Sequence, residues 1–529
     1  MGESPVTLSR RAVLGLTAAP AASLSAAGAS LIAIEPRPLF EISPLFYMQF
    51  FEPLGVTDTC AEAAWDYDAD DWRKDFVEAT GDLAPDVIRF GGIYSRYYKW
   101  REGVGAASQR PSHRNYAWGG KETNRIGTHE LVTLCRRVGA EPLFCVNFLG
   151  DGVQRYRHTP EGDRTGDAQE AADWVSYAND PDHRERRAHG ADAPYNIRLW
   201  QLGNETSYGT ECFTKDHCIR HTIEFARAMR ARDKSIRLIG WGDKGRGGGS
   251  DGAPWATDLL KRAGEHLDFV AFHMMGMRPQ RQDTVLAGLR YQQRPEEAWQ
   301  ELIELARVAA TRLQEIEQAI GMANARTPIA ITEGHLSLSP HNSNPILAEW
   351  LSAAYHAKTL NLYLRHGEWV KIATAADFPA QRWTVGSLML PVPRGQSYLM
   401  PVGSIMRLFK RHHGTHGVQV TSAPADLDIA ASRTGERVYL HVLNQNFRSS
   451  VAVRFSVAGA TINGGRVFEI APEDPRAYVD RDHTNTFTPQ EKAFAGDEWR
   501  FPARSVSVVE LTPRGMLGLC WPFTSPAAG

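Results

Sequence analysis

This 529-residue sequence predicts an α/β fold, a (β/α)8 TIM barrel with a C-terminal β-sandwich domain. Three observations carry that reading. Between residues 45 and 414, near-continuous apolar runs alternate with amphipathic stretches, as parallel strands buried on both faces alternate with their covering helices. The apolar runs number eight, the count of a closed barrel. After Gly414 helical periodicity stops, and short alternating runs punctuated by Gly, Asn and Pro take over. A doubly wound open sheet is the rival, and no Gly-x-Gly-x-x-Gly follows an early run to support it.

Taken in order, residues 1–29 read as a twin-arginine export leader. Arg10-Arg11 precedes an Ala-rich, weakly apolar stretch, and Ala27-Gly28-Ala29 offers a small-x-small cleavage site. The stretch holds Pro20 and is short for a membrane span, so no stable membrane insertion is expected, and the protein is expected in the periplasm or outside the cell. Residues 30–44 precede the first barrel strand and are free to add a strand to the sandwich. The barrel, residues 45–414, has candidate strands at 45–51, 87–91, 142–148, 197–205, 236–240, 269–274, 329–333 and 370–375. Helical patterns fall at 128–138, 216–232, 296–320 and 346–366. The sandwich, residues 415–513, has candidate strands at 418–421, 428–431, 437–443, 450–457, 465–470 and 505–511, and residues 514–529 form a tail.

Composition narrows the function by exclusion. A net charge of −2 gives no reason to expect nucleic acid or an acidic membrane surface as partner. The six cysteines show no Cys-x-x-Cys spacing, so no metal or redox site is expected. Cys135 and Cys145 sit in apolar elements as buried thiols, while Cys212 and Cys218 are spaced so that a pair is an option.

Two glutamates carry the chemistry. Glu205 ends the fourth candidate strand and Glu333 the seventh. In a barrel, strand ends converge on one cleft. Carboxylates there are costly to bury unless they work or are paired. Two carboxyl groups roughly 5 Å apart are what retaining cleavage of a glycosidic bond needs.

Asn204-Glu205 resembles the acid/base motif of clan A glycoside hydrolases, and further segments resemble glycoside hydrolase family 51, the α-L-arabinofuranosidases. Phe51-Glu52-Pro53-Leu54-Gly55 and Arg89-Phe90-Gly91-Gly92 resemble its first- and second-strand motifs. Tyr98, Trp100 and Gly103-Val104-Gly105 follow as in that family, as do Trp118, Glu122, Asn124, Gly127 and Glu130. Val146-Asn147, the stretch from Glu170 to Asn179, and Pro502 with Ser505-Val506 extend the resemblance, in order, over residues 45–512.

The resemblance implies a retaining hydrolase of plant or microbial poly- or oligosaccharides, with Glu205 as acid/base and Glu333 as nucleophile. It implies Asn204, Glu52, Arg89, Trp118 and His273 as substrate-binding and supporting residues, and no metal or organic cofactor. Arg89 is expected to keep Glu333 ionised, while repulsion and burial keep Glu205 protonated. Relatives in that family are often oligomeric, which leaves a homo-oligomer open. Departures mark the sugar site. Ile93 stands where the family has Asn, Met275 where it has Tyr, Gly334 where it has Trp, and Asp377 falls in an altered strand-eight ending. The alternatives are therefore another clan A activity (β-xylosidase, endoglucanase or D-furanosidase) or a non-catalytic sugar-binding barrel.

Other signals weigh less. His412, His413 and His416 follow Lys410-Arg411 and are read as helix-end residues, not metal ligands. The glycine run from Gly245 to Ser250 lacks the Lys of a phosphate loop and is read as a flexible loop. The charged stretch 180–187 is read as a solvated loop.

Overall fold

Eight parallel strands, each followed by a helix, make up the first part of the chain. They are β1 (Met48–Phe51), β2 (Val87–Phe90), β3 (Glu141–Val146), β4 (Leu199–Leu202), β5 (Arg237–Trp241), β6 (Phe269–His273), β7 (Ile329–Glu333) and β8 (Val370–Ala373). The structure, a computed structural model, describes residues 29–243, 254–277, 279, 281–340, 342–393 and 395–515. The expected leader except Ala29, the Gly245 to Ser250 loop, Cys520 and all but the first two tail residues lie outside the described residues.

Each strand pairs with its sequence neighbour, in parallel, from β1 to β8. The parallel bridges Tyr47 to Ala373 and Phe50 to Asp377 join the last strand to the first. That sequential order, with both edges joined, is a barrel and not the doubly wound alternative. The eight covering helices are α1 (Lys74–Leu83), α2 (Thr128–Val138), α3 (Ala168–Asn179), α4 (Lys215–Arg232), α5 (Trp255–Ala263), α6 (Pro295–Gly321), α7 (Ala353–Arg365) and α8 (Pro401–Arg411).

Local chemistry sets where these helices begin and end. Asp167 accepts from the Glu170 amide to cap α3, and Pro295 opens α6 at a position where no amide is needed. The helical pattern over 346–366 is only partly realised. Residues 345–352 form two single 3-10 turns before α7 starts. The reason is tertiary: the Trp350 amide donates to the Ala477 carbonyl, and Glu349 accepts from both Tyr291 and Arg476, so this segment is tied to the second domain.

That second domain is a β-sandwich built from one long, folded-over sheet of nine strands. The N-terminal strand Ser30–Glu41 lies inside it, antiparallel to His416–Ser422 and parallel to Val451–Val457. Its pairing slips around Pro36 and Pro38, which lack the amides a ladder needs. Ile32, Ile34, Val453, Phe455, Val509 and Leu511 fill the inner core. Val506 and Val508, on the opposite face of the same strand as Val509, join the barrel's core instead. The strand Val506–Leu511 is thus buried on both sides, by alternation. The strands Gln490–Ala495 and Glu498–Phe501, which close opposite edges of the sheet against Gly464–Ile470 and Val451–Val457, were not expected: most of their residues are exposed, which hides the strand pattern.

Two readings are corrected. Cys212 and Cys218 are not paired, and all five described cysteines are free thiols. Cys218 is buried in α4 with its Sγ 3.2 Å from the Thr206 hydroxyl, turned to the core. The charged stretch 180–187 is largely exposed, as read, but it is not all loop and not all solvated. It leads into the helix Arg184–Ala188, where the buried Arg186 guanidinium satisfies the carbonyls of Tyr177, Asp180, Pro181, Ala191 and Asp192.

The two domains are joined electrostatically at Asp428, whose carboxylate meets Lys358 at 3.1 Å and Arg365 at 2.9 Å. Burial alone would raise its pKa, but the two cations and the Asn361 hydrogen bond outweigh it and hold the group below the usual carboxylate range. Asp428→Ala should cost about 1–2 kcal/mol, because it strips the half-buried Lys358 ammonium of its counter-charge. A depressed folded pKa contributes stability that is present above the unfolded value and lost as pH falls. In urea titrations the gap between wild type and variant should therefore narrow below about pH 4.

Candidate active site

Glu205 and Glu333 are brought together where β4 and β7 end. Glu333 is the last residue of β7. Beyond β4, the chain turns through Gly203 (φ 76°) and Asn204 to place Glu205 in a left-handed backbone conformation (φ 54°). Glu205 adopts it without glycine's freedom, at a cost of about 1–2 kcal/mol that surrounding contacts must hold. Gly334 has a different reason. A Cβ there would lie 2.7 Å from the Thr374 carbonyl of the neighbouring strand, so no Trp fits at that position.

Arg89, fully buried on β2, organises the floor. Its Nη1 donates to Glu333 Oε1 at 3.0 Å and its Nη2 to Asn204 Oδ1 at 2.6 Å, while its Nε donates to Gln201 Oε1 at 2.8 Å. The guanidinium face covers the Phe50 ring at 4.8 Å. His273, ending β6, stands between the two glutamates. Its Nδ1 is 3.0 Å from Glu205 Oε1 and 3.5 Å from Glu333 Oε2. Trp241 packs edge-on against this ring at 4.6 Å and limits how far it can turn.

Glu52 and Trp118 form a linked pair. Glu52 Oε1 accepts from the Tyr94 amide at 2.8 Å and from Trp118 Nε1 at 3.1 Å. Trp118 meets Trp383 edge to face at 5.4 Å. Glu52 is close enough to Glu333 and Arg89 to influence the charge of the site. Of the departures, Ile93 and Met275 are half-buried apolar side chains, while Asp377 accepts from His335 Nδ1 at 2.9 Å. Burial would lower the His335 pKa, but the Asp377 charge reverses that and raises it.

The electrostatics of the site run against one expectation. Burial, with the nearby Glu205 charge adding to it, pushes Glu333 up to about 8 despite His273 and Arg89. Glu205 is also desolvated, but its hydrogen bond with His273 and the cations Arg96 and Arg89 hold it below the usual range. Arg89 alone does not decide the balance, because His273 sits nearer to Glu205. The two carboxyl groups act as a pair whose proton belongs to both. Glu52 is likewise pushed up to about 8, mainly by burial.

One oxygen of each glutamate and His273 Nδ1 all lie within 4.8 Å of one another, the one such cluster of potential ion ligands among the described residues. Arg89 already donates to Glu333, and Arg96 lies 3.9 Å from Glu205. With two guanidinium charges in place, the cluster suits proton transfer better than a cation.

Four contributors were not identified from sequence. Gln201 carried a signal, a lone amide between Trp200 and Leu202 in an apolar strand. His335 stands two residues past Glu333 and also could have been found. Arg96 and Asp151 could not, since a Tyr-rich segment and a Leu-Gly-Asp-Gly turn read as packing and loop.

The α-L-arabinofuranosidase 1 domain model matches residues 79–289. A probable α-L-arabinofuranosidase C from Aspergillus flavus is 30% identical over 367 residues, covering 64% of this chain and 65% of that protein. The chain thus spans under two thirds of that relative's length. An exo-α-(1→6)-L-arabinofuranosidase from Bifidobacterium longum is 31% identical over 44% of each chain. Among solved structures, the arabinose complex of an α-L-arabinofuranosidase from Thermotoga maritima superposes with a TM-score of 0.74 over 91% of this chain and 99% of that one, at 24% identity. A family 51 α-L-arabinofuranosidase from Bifidobacterium longum also gives 0.74, at 19% identity. At such identities the likeness establishes the fold.

A carboxyl group whose pKa is raised by the fold penalises stability as pH climbs from its unfolded value toward the folded one. Glu333→Gln should therefore raise the melting temperature by about 1–3 °C at pH 8, with the gain shrinking toward pH 5. Calorimetry at both pH values reads this directly.

Proposed function

We propose that this chain, a relative of the family 51 α-L-arabinofuranosidases by sequence and fold, is an exported glycoside hydrolase that retains anomeric configuration through double displacement. The observation that carries the reading is the separation of Glu205 and Glu333, whose facing oxygens are no more than 4.8 Å apart. Retaining enzymes work with about 5 Å, whereas inverting ones leave roughly 6.5–9.5 Å for a water.

In this reading Glu333 attacks the anomeric carbon while Glu205 gives its proton to the leaving oxygen. Glu205 then takes a proton from water, whose oxygen attacks the same carbon and frees Glu333. The proton must begin on Glu205, whereas burial makes Glu333 the harder of the two to ionise. His273, within reach of both, supports its transfer when substrate displaces water. Asn204 adds to the reading: its Oδ1 is taken by Arg89, while its buried Nδ2 has no protein partner and is available to a sugar hydroxyl.

The names of the relatives make an α-L-arabinofuranoside the first substrate to test. The apolar Ile93 and Met275 and the charged His335–Asp377 pair favour a second reading, another clan A furanosidase or pyranosidase with the same two glutamates. Export rests on the Arg10-Arg11 leader alone.

Glu333→Ala should lower turnover of an aryl glycoside by at least about 1,000-fold, with partial recovery in azide. Glu205→Ala should spare dinitrophenyl substrates far more than natural glycosides. Wild-type rates in both variants would sink the mechanism. For the wild type, kcat/KM should fall as pH rises through about 8, as the pair loses its last proton. A panel of nitrophenyl furanosides and pyranosides of both D and L series separates the two substrate readings.

A further inference from the structure

The acid/base glutamate is held by a device that the mechanism does not itself use. Arg96 and Asp151 form a buried ion pair directly behind Glu205, with Nε 3.0 Å from Oδ2. Asp151 is fully buried and Arg96 nearly so. Buried pairs of this kind are weak sources of stability, because desolvation cancels most of the attraction. Their presence calls for another account, and their remaining contacts supply one.

Those contacts converge on the two peptide groups that define the acid/base. Arg96 Nη2 donates to the Asn204 carbonyl at 3.1 Å and to the Glu205 carbonyl at 3.1 Å. Asp151 Oδ2 accepts the Asn204 amide at 3.1 Å. Gly203 makes room for this approach, since a Cβ there would lie 2.6 Å from Asp151 Oδ1. The clamp therefore grips the backbone before and after the residue whose φ is 54°. Arg96 Nη2 also lies 3.9 Å from Glu205 Oε2, the carboxylate oxygen that His273 does not hold.

We infer that Arg96 and Asp151 are positioning residues for the acid/base: they fix Glu205 in its left-handed conformation and aim its carboxyl group at the leaving oxygen. The inference rests on the proposed double displacement. Glu333 gains nothing from this clamp, because it ends a regular strand and is held by Arg89. Loss of the clamp should therefore harm proton donation and spare nucleophilic attack. A merely structural pair would affect both steps alike.

The test is the dependence of rate on leaving group in Arg96→Met/Asp151→Asn. This double variant removes both charges together and keeps an oxygen for the Asn204 amide. On a glycoside with an unactivated alcohol leaving group, kcat/KM should fall by about 100-fold, as for a misplacement of about 1 Å. On the dinitrophenyl glycoside of the same sugar, which needs no protonation, the fall should be under about 5-fold, the same selective loss expected of Glu205→Ala. Equal losses on both substrates, or no loss, would overturn the inference. If the double variant does not fold by melting and circular dichroism, Arg96→Lys decides. It keeps the ion pair but cannot span both carbonyls, and the same selective loss is expected, with an equal or absent loss again overturning the inference. Should Glu205→Ala itself lack leaving-group dependence, the double-displacement reading fails first, so the two failures are distinct.

Discussion

A guanidinium sealed from water inside the barrel ties this site together. Arg89 reaches from β2 to Gln201 and Asn204 around the end of β4, and to Thr332 and Glu333 at the end of β7. Removing a charge from water is costly unless each of its donors is met. Meeting them requires the ends of three strands to arrive in one register. The barrel's closure and the placement of the two glutamates are thus parts of one constraint. Phe50, under the face of the same guanidinium, extends it to β1.

Around that centre, the two carboxyl groups have different partners. Glu205 has His273 and Arg96 close by, while Glu333 has Arg89 and a longer contact to His273. The uneven surroundings give two chemically identical side chains different affinities for a proton.

Much of this was legible in the sequence, for physical reasons. The eight strands are buried on both faces, so their residues form apolar runs that end visibly at Glu205 and Glu333. The expected helix over 128–138 coincides with α2, whose apolar stripe is regular and whose end is marked by Gly139 in a left-handed conformation. What could not be read depends on contacts between distant parts of the chain. Nothing near residue 346 reveals that Ala477 will claim the Trp350 amide and delay α7. Arg186 looked solvated until five carbonyls enclosed it. Arg96 and Asp151 are 55 positions apart and lie in segments without periodicity. The position of His273 between the two carboxyl groups depends on where strands four, six and seven end in space, which no sequence pattern encodes.

The N-terminal strand has a consequence for how the chain is made. Ser30–Glu41 is an interior strand of the sandwich sheet, and the Thr421 hydroxyl that meets the Ala33 carbonyl lies 388 positions away. Synthesis proceeds from the first residue, so this strand emerges early and waits while the whole barrel is produced. Contacts between such distant segments form late and slowly. Until His416–Ser422 is made, both edges of a strand that includes Leu31, Ile32 and Ile34 stay unpaired, and one stays open until Val451–Val457 follows. The last fifth of the chain thus shields the first strand as well as building a second domain, and a chain released early would carry an open apolar edge at its beginning.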